Sequence, residues 1–282
     1  MMRLVFGMGA TKSGSGWLFR FLQSHPECHL RDLKELHFFD TIEFSKTRAR
    51  LRKIRRNMAM LQERPAGDLD AERRLRDFAD WLPVAQREDR AAYLRYLAEG
   101  RGTRSVIADI TPAYAMVSAA TLREMLNLLP DTRFVFFMRD PVARLWSHVR
   151  MLARRAVRSG ADAAQAAAHH LDLVLSGRDP LVADRGAYDV ILPRLQSVLP
   201  AERLHVDFFE DIVPAGRTDR LCAFLGISAH PSDVKRPHQG IDLPLADDQR
   251  ARIRAYLTPQ YEFVRSRMGR LPAVWEDSFA KG

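Results

Sequence analysis

Four short segments carry residues whose types and spacing suit binding of a phosphate group and proton transfer beside it. The first is Gly9-Ala10-Thr11-Lys12-Ser13-Gly14-Ser15-Gly16, between an apolar run and a helical pattern. A glycine-rich turn in that position presents free backbone N–H groups and the positive end of a helix dipole to an anion. Lys12 can reach a phosphate oxygen, and two serine hydroxyls can donate. The loop departs from the nucleotide triphosphatase pattern because Thr11 replaces the glycine before the lysine, and from the dinucleotide fingerprint because Lys12 stands at its third glycine. The second segment is Arg139-Asp140-Pro141-Val142-Ala143-Arg144-Leu145-Trp146-Ser147. Arg139 offers a two-pronged fork to a dianionic phosphate, and Ser147 follows about two helical turns later on the face shared with Asp140 and Arg144. Asp140 and Pro141 form an ordinary helix start. The third, Lys34-Glu35-Leu36-His37-Phe38-Phe39-Asp40, holds a candidate general base beside a cation. Its plainer reading is a solvated Lys-Glu pair next to a buried Phe-Phe. The fourth is Asp109-Ile110-Thr111-Pro112-Ala113-Tyr114.

Taken together, the segments resemble the motifs of sulfotransferases that use 3′-phosphoadenosine-5′-phosphosulfate (PAPS). Lys12, Ser13, Gly14 and Ser15 match the 5′-phosphosulfate loop, K-[ST]-G-[TS]-[TS], with Gly16 in place of its last hydroxyl. Arg139 to Ser147 match R-[DN]-P-x-x-R-x-x-S, which marks the 3′-phosphate site, at every fixed position. Lys34 to Asp40 are similar to K-E-x-H-F-F-D of heparan sulfate and related carbohydrate sulfotransferases, where the glutamate is the base. Asp109 to Tyr114 resemble E-K-[ST]-P-x-Y of the same enzymes, with Ile110 replacing the lysine. Gly186-Ala187-Tyr188 and Phe209-Glu210-Asp211 follow in the family's order.

The resemblance implies transfer of a sulfonate from PAPS to a hydroxyl, with the bisphosphate PAP as product and no metal. It places Glu35 as base, Lys12 and Lys34 as cations stabilising transferred charge, and His37 as an orienting group. Ser13, Gly14, Ser15, Gly16 and Trp17 would cradle the 5′-phosphate largely through backbone N–H groups, and Arg139 and Ser147 would hold the 3′-phosphate. His148 is a less favoured base. Lys235 and Arg236 are the nearest basic residues for a C-terminal closure over the nucleotide. The acceptor is a hydroxyl on a glycan or small molecule. A carbohydrate is favoured, with lipids and small natural products open because of Ile110. Trp17, Phe38, Phe39, Tyr114 and Trp146 either line the acceptor cleft or belong to the core.

These segments need a scaffold that brings them together. Residues 3–8, 105–108, 133–138 and 204–208 read as short buried strands, with 133–138 the strongest. Helical spacing recurs at Trp17, Leu18, Phe21 and Leu22, and over 122–129, from Pro141 past Met151, and over 161–175 and 188–198. Residues 45–97 read as two or three amphipathic helices broken at Pro65-Ala66-Gly67-Asp68. Alternation of strands and helices predicts a P-loop-like three-layer α/β/α fold around a parallel sheet. The expectation is one domain over 1–282 with a helical insertion at about 45–100.

The chain has 282 residues and a net charge of +9 from 44 Lys+Arg against 35 Asp+Glu, with only six lysines. Its 46% hydrophobic and 28% charged residues exclude collagen-like, disordered and disulfide-scaffold classes. The basic balance suits an anionic ligand. Cys28 and Cys222 have neither metal-site spacing nor framework density, which points to a reducing compartment. The run Leu4–Ala10 is too short to span a membrane and lacks a cleavage pattern, so the expectation is a cytoplasmic protein without a transmembrane segment. Two alternatives stand beside the sulfotransferase reading. One is a magnesium-dependent kinase or nucleotide triphosphatase with Asp109 as metal ligand. The other is a non-catalytic binder of polyanions, although no nucleic-acid-binding motif appears.

Overall fold

Successive side chains on a strand face opposite sides of its sheet, so a strand covered on both sides must be apolar at odd and even positions alike. The strands β1 (Arg3–Gly9), β2 (Cys28–His29), β3 (Val106–Ile110), β4 (Thr132–Met138) and β5 (Leu204–Phe208) are parallel and ordered β2-β3-β1-β4-β5. The computed structural model describes residues 2–213, 217–230 and 241–280. Leu4, Phe6, Met8, Phe134, Phe136 and Met138 face the larger core. The intervening Val5, Val135 and Phe137 face a smaller one, with Val106, Ala108 and Ile110 of β3.

The smaller core lies under α1 (Ser15–Ser24), which contributes Trp17, Leu18, Phe21 and Leu22. After β2 the chain forms α2 (Phe38–Glu43), α3 (Thr47–Gln62), α4 (Leu69–Arg87) and α5 (Arg90–Ala98), all contributing to the larger core. Asp68 and Asp89 cap α4 and α5 through the backbone N–H groups of Ala71 and of Ala91 and Ala92. Helix α6 (Ala119–Leu126) precedes β4. Then come α7 (Pro141–Val157), α8 (Ala163–Leu175), α9 (Pro180–Asp184) and α10 (Tyr188–Val198). After β5 follow α11 (Phe209–Ile212), α12 (Asp219–Leu225), α13 (Asp247–Met268) and α14 (Ala273–Ala280). Helix α12 joins α1 on the smaller core through Leu221, Cys222 and Leu225, and α13 joins the larger through Ile253, Leu257, Tyr261 and Val264. This is the three-layer α/β/α arrangement expected from the alternating pattern, with three helices between residues 47 and 98. Both cysteines are buried and free. Among the described residues no helix is long and apolar enough to cross a membrane.

Candidate active site

In a sheet ordered this way, β1 runs on to its neighbours on one side while β4 and β5 lie on the other. The strand order reverses between β1 and β4, and the crevice at the carboxyl ends of such a pair is the usual ligand position in open α/β sheets. The turn after β1 places Lys12 at φ 73° and Gly14 at φ 92°, both left-handed. A side chain at Gly14 is excluded twice, because its Cβ would also stand 2.5 Å from the Phe209 ring. Arg139, immediately after β4, lays its guanidinium over that same ring at 5.3 Å and donates to the Lys12 carbonyl at 3.1 Å. The turns after β1, β4 and β5 therefore hold one another. Gly14 caps α1 with no side-chain bond, and the N–H groups at the start of a helix point toward an anion placed there.

Not every residue of the loop opens to this crevice. The N–H of Ser13 donates to the Ala10 carbonyl at 3.1 Å and its side chain is fully buried beside Tyr188, so Ser13 shapes the turn. Trp17 is buried with its indole stacked on Phe21 at 5.0 Å, leaving only its backbone near the crevice. Lys12, Ser15 and Gly16 are partly exposed.

Arg139 is fixed through its main chain. Its N–H donates to the Tyr188 hydroxyl at 3.0 Å, and that hydroxyl donates to the Arg139 carbonyl at 2.7 Å. Asp140 caps α7 by accepting from the Ala143 N–H at 2.7 Å, and it accepts from the Tyr261 hydroxyl at 2.7 Å. Ser147 is half-buried two turns into α7. Beside it the Trp146 indole donates to the Leu243 carbonyl at 3.1 Å, so the chain after residue 240 lies across this helix. Lys235 and Arg236 fall outside the described residues. Arg144 does not join Arg139 at the crevice: it is 1% exposed and stands 2.0 Å from where a Cβ on Gly186 would be.

The third segment reaches the crevice from the side. Arg31 donates to buried Asp77 of α4 at 2.7 Å, and the Leu33 N–H donates to the other oxygen of that carboxylate at 2.8 Å. The chain then turns through two left-handed residues, Glu35 (φ 59°) and His37 (φ 57°), with Leu36 buried between them. Such backbone is uncommon outside glycine and persists where surrounding contacts impose it. Here Arg50 donates to the Glu35 carbonyl, Thr41 to the His37 carbonyl, and the Phe38 N–H to the Tyr114 hydroxyl at 3.0 Å. No local pattern in the sequence announces this turn. Arg50 and Asp77, which fix it, carry no motif, although an acid on the apolar face of α4 beside Phe78 and Trp81 is a sign of a buried partner.

The result is a compact charged array. Lys34 Nζ lies 2.9 Å from one Glu35 carboxylate oxygen and 3.1 Å from the Ser15 hydroxyl, joining the third segment to the first. His37 Nε2 lies 3.8 Å from the other Glu35 oxygen, and its Nδ1 is 2.7 Å from Asp40. Burial works to raise the Glu35 pKa. The approach of His37 and the Lys34 charge outweigh it and hold the carboxylate well below its ordinary range. Burial works to lower the His37 pKa, and the bond to Asp40 with the nearby Glu35 carboxylate overcomes it, so His37 is raised. Lys12 is pushed down to about 8 by burial, followed by the charges of Arg139, Arg154 and Lys34. His148 is driven to about 3 by burial and then by Arg144 and Arg185, and at 3% exposure it is sealed from an acceptor.

The fourth segment supports this array from beneath. Asp109 is 2% exposed and accepts from Thr111 at 2.7 Å, Tyr114 at 2.7 Å and Tyr93 at 2.8 Å. Those hydroxyls occupy the carboxylate that the kinase alternative assigns to a metal, and they turn it into a prop for the Phe38 backbone. Ile110 packs against Gly7 in the smaller core, where a Cβ on Gly7 would meet it at 2.8 Å. The position filled by lysine in the carbohydrate enzymes thus faces away from the crevice. Phe38, Phe39, Tyr114 and Trp146 are core residues, as is Trp17, and they do not line the cleft beside Glu35.

That cleft, about 440 Å³, is bounded by Gly16, Lys34 and Glu35 on one side and by α3 and α4 on the other. A sequence model described as the sulfotransferase family matches residues 5–231. In fold, the chain is similar to a sulfotransferase from Alicyclobacillus acidocaldarius, with 24% identity and a TM-score of 0.65 over 98% of this chain and 99% of that one. It is also similar to the sulfotransferase domain from the curacin biosynthetic pathway, with 19% identity and a TM-score of 0.50 over 91% and 97%. No curated protein sequence matches the chain.

Proposed function

The chain belongs to the sulfotransferase family, and from that premise we propose that it transfers a sulfonate from PAPS to a hydroxyl acceptor with Glu35 as general base. The observation that carries this reading is the convergence of Lys12, Arg139 and the uncapped start of α1 on one crevice, with the Lys34–Glu35 pair joined to it through Ser15. The donor set fits an anionic nucleotide: Lys12 stands among like charges that an anion would balance.

In this reading Lys12, Ser15 and the N–H groups at the start of α1, including those of Gly16 and Trp17, hold the 5′-phosphate. Gly14 and Ser13 shape the turn, and Arg139 and Ser147 hold the 3′-phosphate. When bound, PAPS supplies an activated sulfonate whose sulfur–oxygen bond to the 5′-phosphate breaks as the acceptor oxygen bonds to sulfur. Glu35 takes the proton of the acceptor hydroxyl. A carboxylate held ionised is always ready to accept it, and His37, backed by Asp40, fixes its direction. Lys12 and Lys34 place positive charge beside the reacting group, where it stabilises charge passing to the leaving phosphate. A carbohydrate hydroxyl remains the favoured acceptor class. The helices over about 45–100 belong in this reading to the same domain, because Asp77 and Arg50 fix the segment that carries Glu35.

Thermal unfolding with 3′,5′-adenosine bisphosphate, AMP, or ATP with magnesium tests the donor assignment. A ligand at a hundred times its dissociation constant adds about 2.7 kcal/mol of stability. The bisphosphate alone should give such a shift, and Arg139→Ala should abolish it. Stabilisation by ATP with magnesium in its place would overturn the reading.

A further inference from the structure

The cleft beside Glu35 carries more positive charge than the donor needs. Six cations line it, Arg20, Lys34, Arg50, Lys53, Arg73 and Arg74, against Asp32, Glu35 and Asp70. The acids are already engaged. Glu35 pairs with Lys34 at 2.9 Å, and Arg73 pairs with Asp70 at 2.8 Å and approaches Asp32 at 4.0 Å. Among the described residues no carboxylate forms an ion pair with Arg20, Arg50, Lys53 or Arg74. Arg50 spends its bond on the Glu35 carbonyl, and its Nε is buried without a partner. Lys53 is pulled below its ordinary pKa by burial and then by Arg50, with Arg155 and Arg56 adding to the repulsion.

Like charges gathered in a concave space repel one another, and the arrangement is relieved when an anion enters. The donor reaches only one edge of this cleft, at Gly16 and Lys34, while Lys12, Arg139 and Ser147 lie outside its lining, so the donor leaves Arg50, Lys53 and Arg74 without an anion. We propose that the acceptor is itself an anion: a hydroxyl compound bearing a carboxylate, phosphate or sulfate group, which Arg50, Lys53 and Arg74 hold while its hydroxyl meets Glu35. This rests on the sulfate-transfer reading for the identity of the cleft as an acceptor site. Charge here does two jobs. It draws in acidic acceptors and disfavours neutral ones, for which the cations would have to be stripped of water without compensation.

The test uses the full chain saturated with 3′,5′-adenosine bisphosphate, so that the donor end is filled. Dissociation constants are measured by calorimetry for glucuronic acid, glucose 6-phosphate and glucose. At least one of the two acids should bind about tenfold more tightly than glucose or better. Which acid responds distinguishes a carboxylate from a phosphate. The preference should disappear in Lys53→Ala/Arg74→Ala and persist in Arg52→Ala/Arg55→Ala, which removes the same charge from positions of α3 that do not line the cleft. An equal response to all three sugars, nil included, overturns the proposal, as does equal loss in both double variants. Failure of the parent reading looks different. There the bisphosphate itself would give no stabilisation, while selective binding of the acids through Lys53 and Arg74 would leave the anion site standing.

Discussion

The two ends of the candidate site are built in different ways. At the proposed donor end, Lys12 and Arg139 follow the carboxyl ends of β1 and β4. Arg139 is locked to the Lys12 carbonyl, and Arg139 and Gly14 close on Phe209, all through short contacts among residues that follow strands. At the proposed acceptor end, Glu35 sits on a segment with no regular structure, and α3 and α4 hold it through Arg50 and Asp77. The donor end is a property of the sheet. The acceptor end is a property of helices placed upon it. Binding of a nucleotide and selection of an acceptor should therefore be separable by mutation.

The sharpest separation is expected at Glu35. Glu35→Gln removes the proton acceptor while keeping the shape, and turnover should fall by about 10²- to 10⁴-fold. Stabilisation by the bisphosphate should be unchanged, since Glu35 touches the donor end only through Lys34. Near-normal turnover with intact nucleotide binding would remove Glu35 from the role of base.

A smaller effect is expected at Asp77, which lies in the helical block and contacts neither Lys12 nor Arg139. Its carboxylate accepts from Arg31, the Leu33 N–H and the Tyr96 hydroxyl. Asp77→Asn cannot accept all three bonds, and denaturant unfolding should show a loss of roughly 1–3 kcal/mol. Turnover should fall as the Lys34–Glu35 segment loosens, while the shift with bisphosphate persists. If the shift were lost with it, the two ends would be one cooperative unit.

The same contrast explains what could be read from the sequence. Each donor motif combines a strand, a turn and a helix start within a dozen residues, so local pattern suffices. The run Arg133–Met138 and the segments Leu204–Phe208 and Tyr188–Val198 are strands and helix at or within a residue of where their patterns place them. The segment Lys34–Asp40 has no such local pattern. Its left-handed Glu35 and His37 are held by Arg50, Tyr114 and Thr41, and only the helix from Phe38 onward is regular. A two-residue strand such as Cys28–His29 is too short to carry periodicity. The cleft cations are not legible in the sequence because α3, with Arg48, Arg52, Arg55 and Arg56 exposed, reads as a solvated basic face. Only packing reveals that Arg50 and Lys53 turn toward Glu35. Beyond residue 227 the sequence carries no comparably clear pattern, yet α13 and α14 there complete the larger core.

The smallest effect tests whether the donor end responds to its ligand through charge alone. Lys12 has its pKa lowered to about 8, first by burial and then by Arg139, Arg154 and Lys34. A bound anion favours the charged amine and must raise that pKa toward its ordinary value. At pH 6 Lys12 is protonated with or without ligand, so binding moves no proton at Lys12; the phosphates, whose second ionisation lies at about pH 6, are fully ionised by pH 8 and add nothing there. Near pH 8 the free site holds about half a proton, and binding the bisphosphate should take up roughly the other half. Affinity should accordingly weaken as pH rises through 8. Calorimetry in buffers of different ionisation enthalpy reads this uptake directly, and Lys12→Arg, charged throughout this range, should show none. His37, whose pKa is raised, is the other group placed to titrate above its ordinary range. Uptake that survived in Lys12→Arg and vanished in His37→Asn would mean that filling the donor end shifts a proton at the acceptor end. The two regions would then be coupled electrostatically although their side chains are held by different parts of the fold.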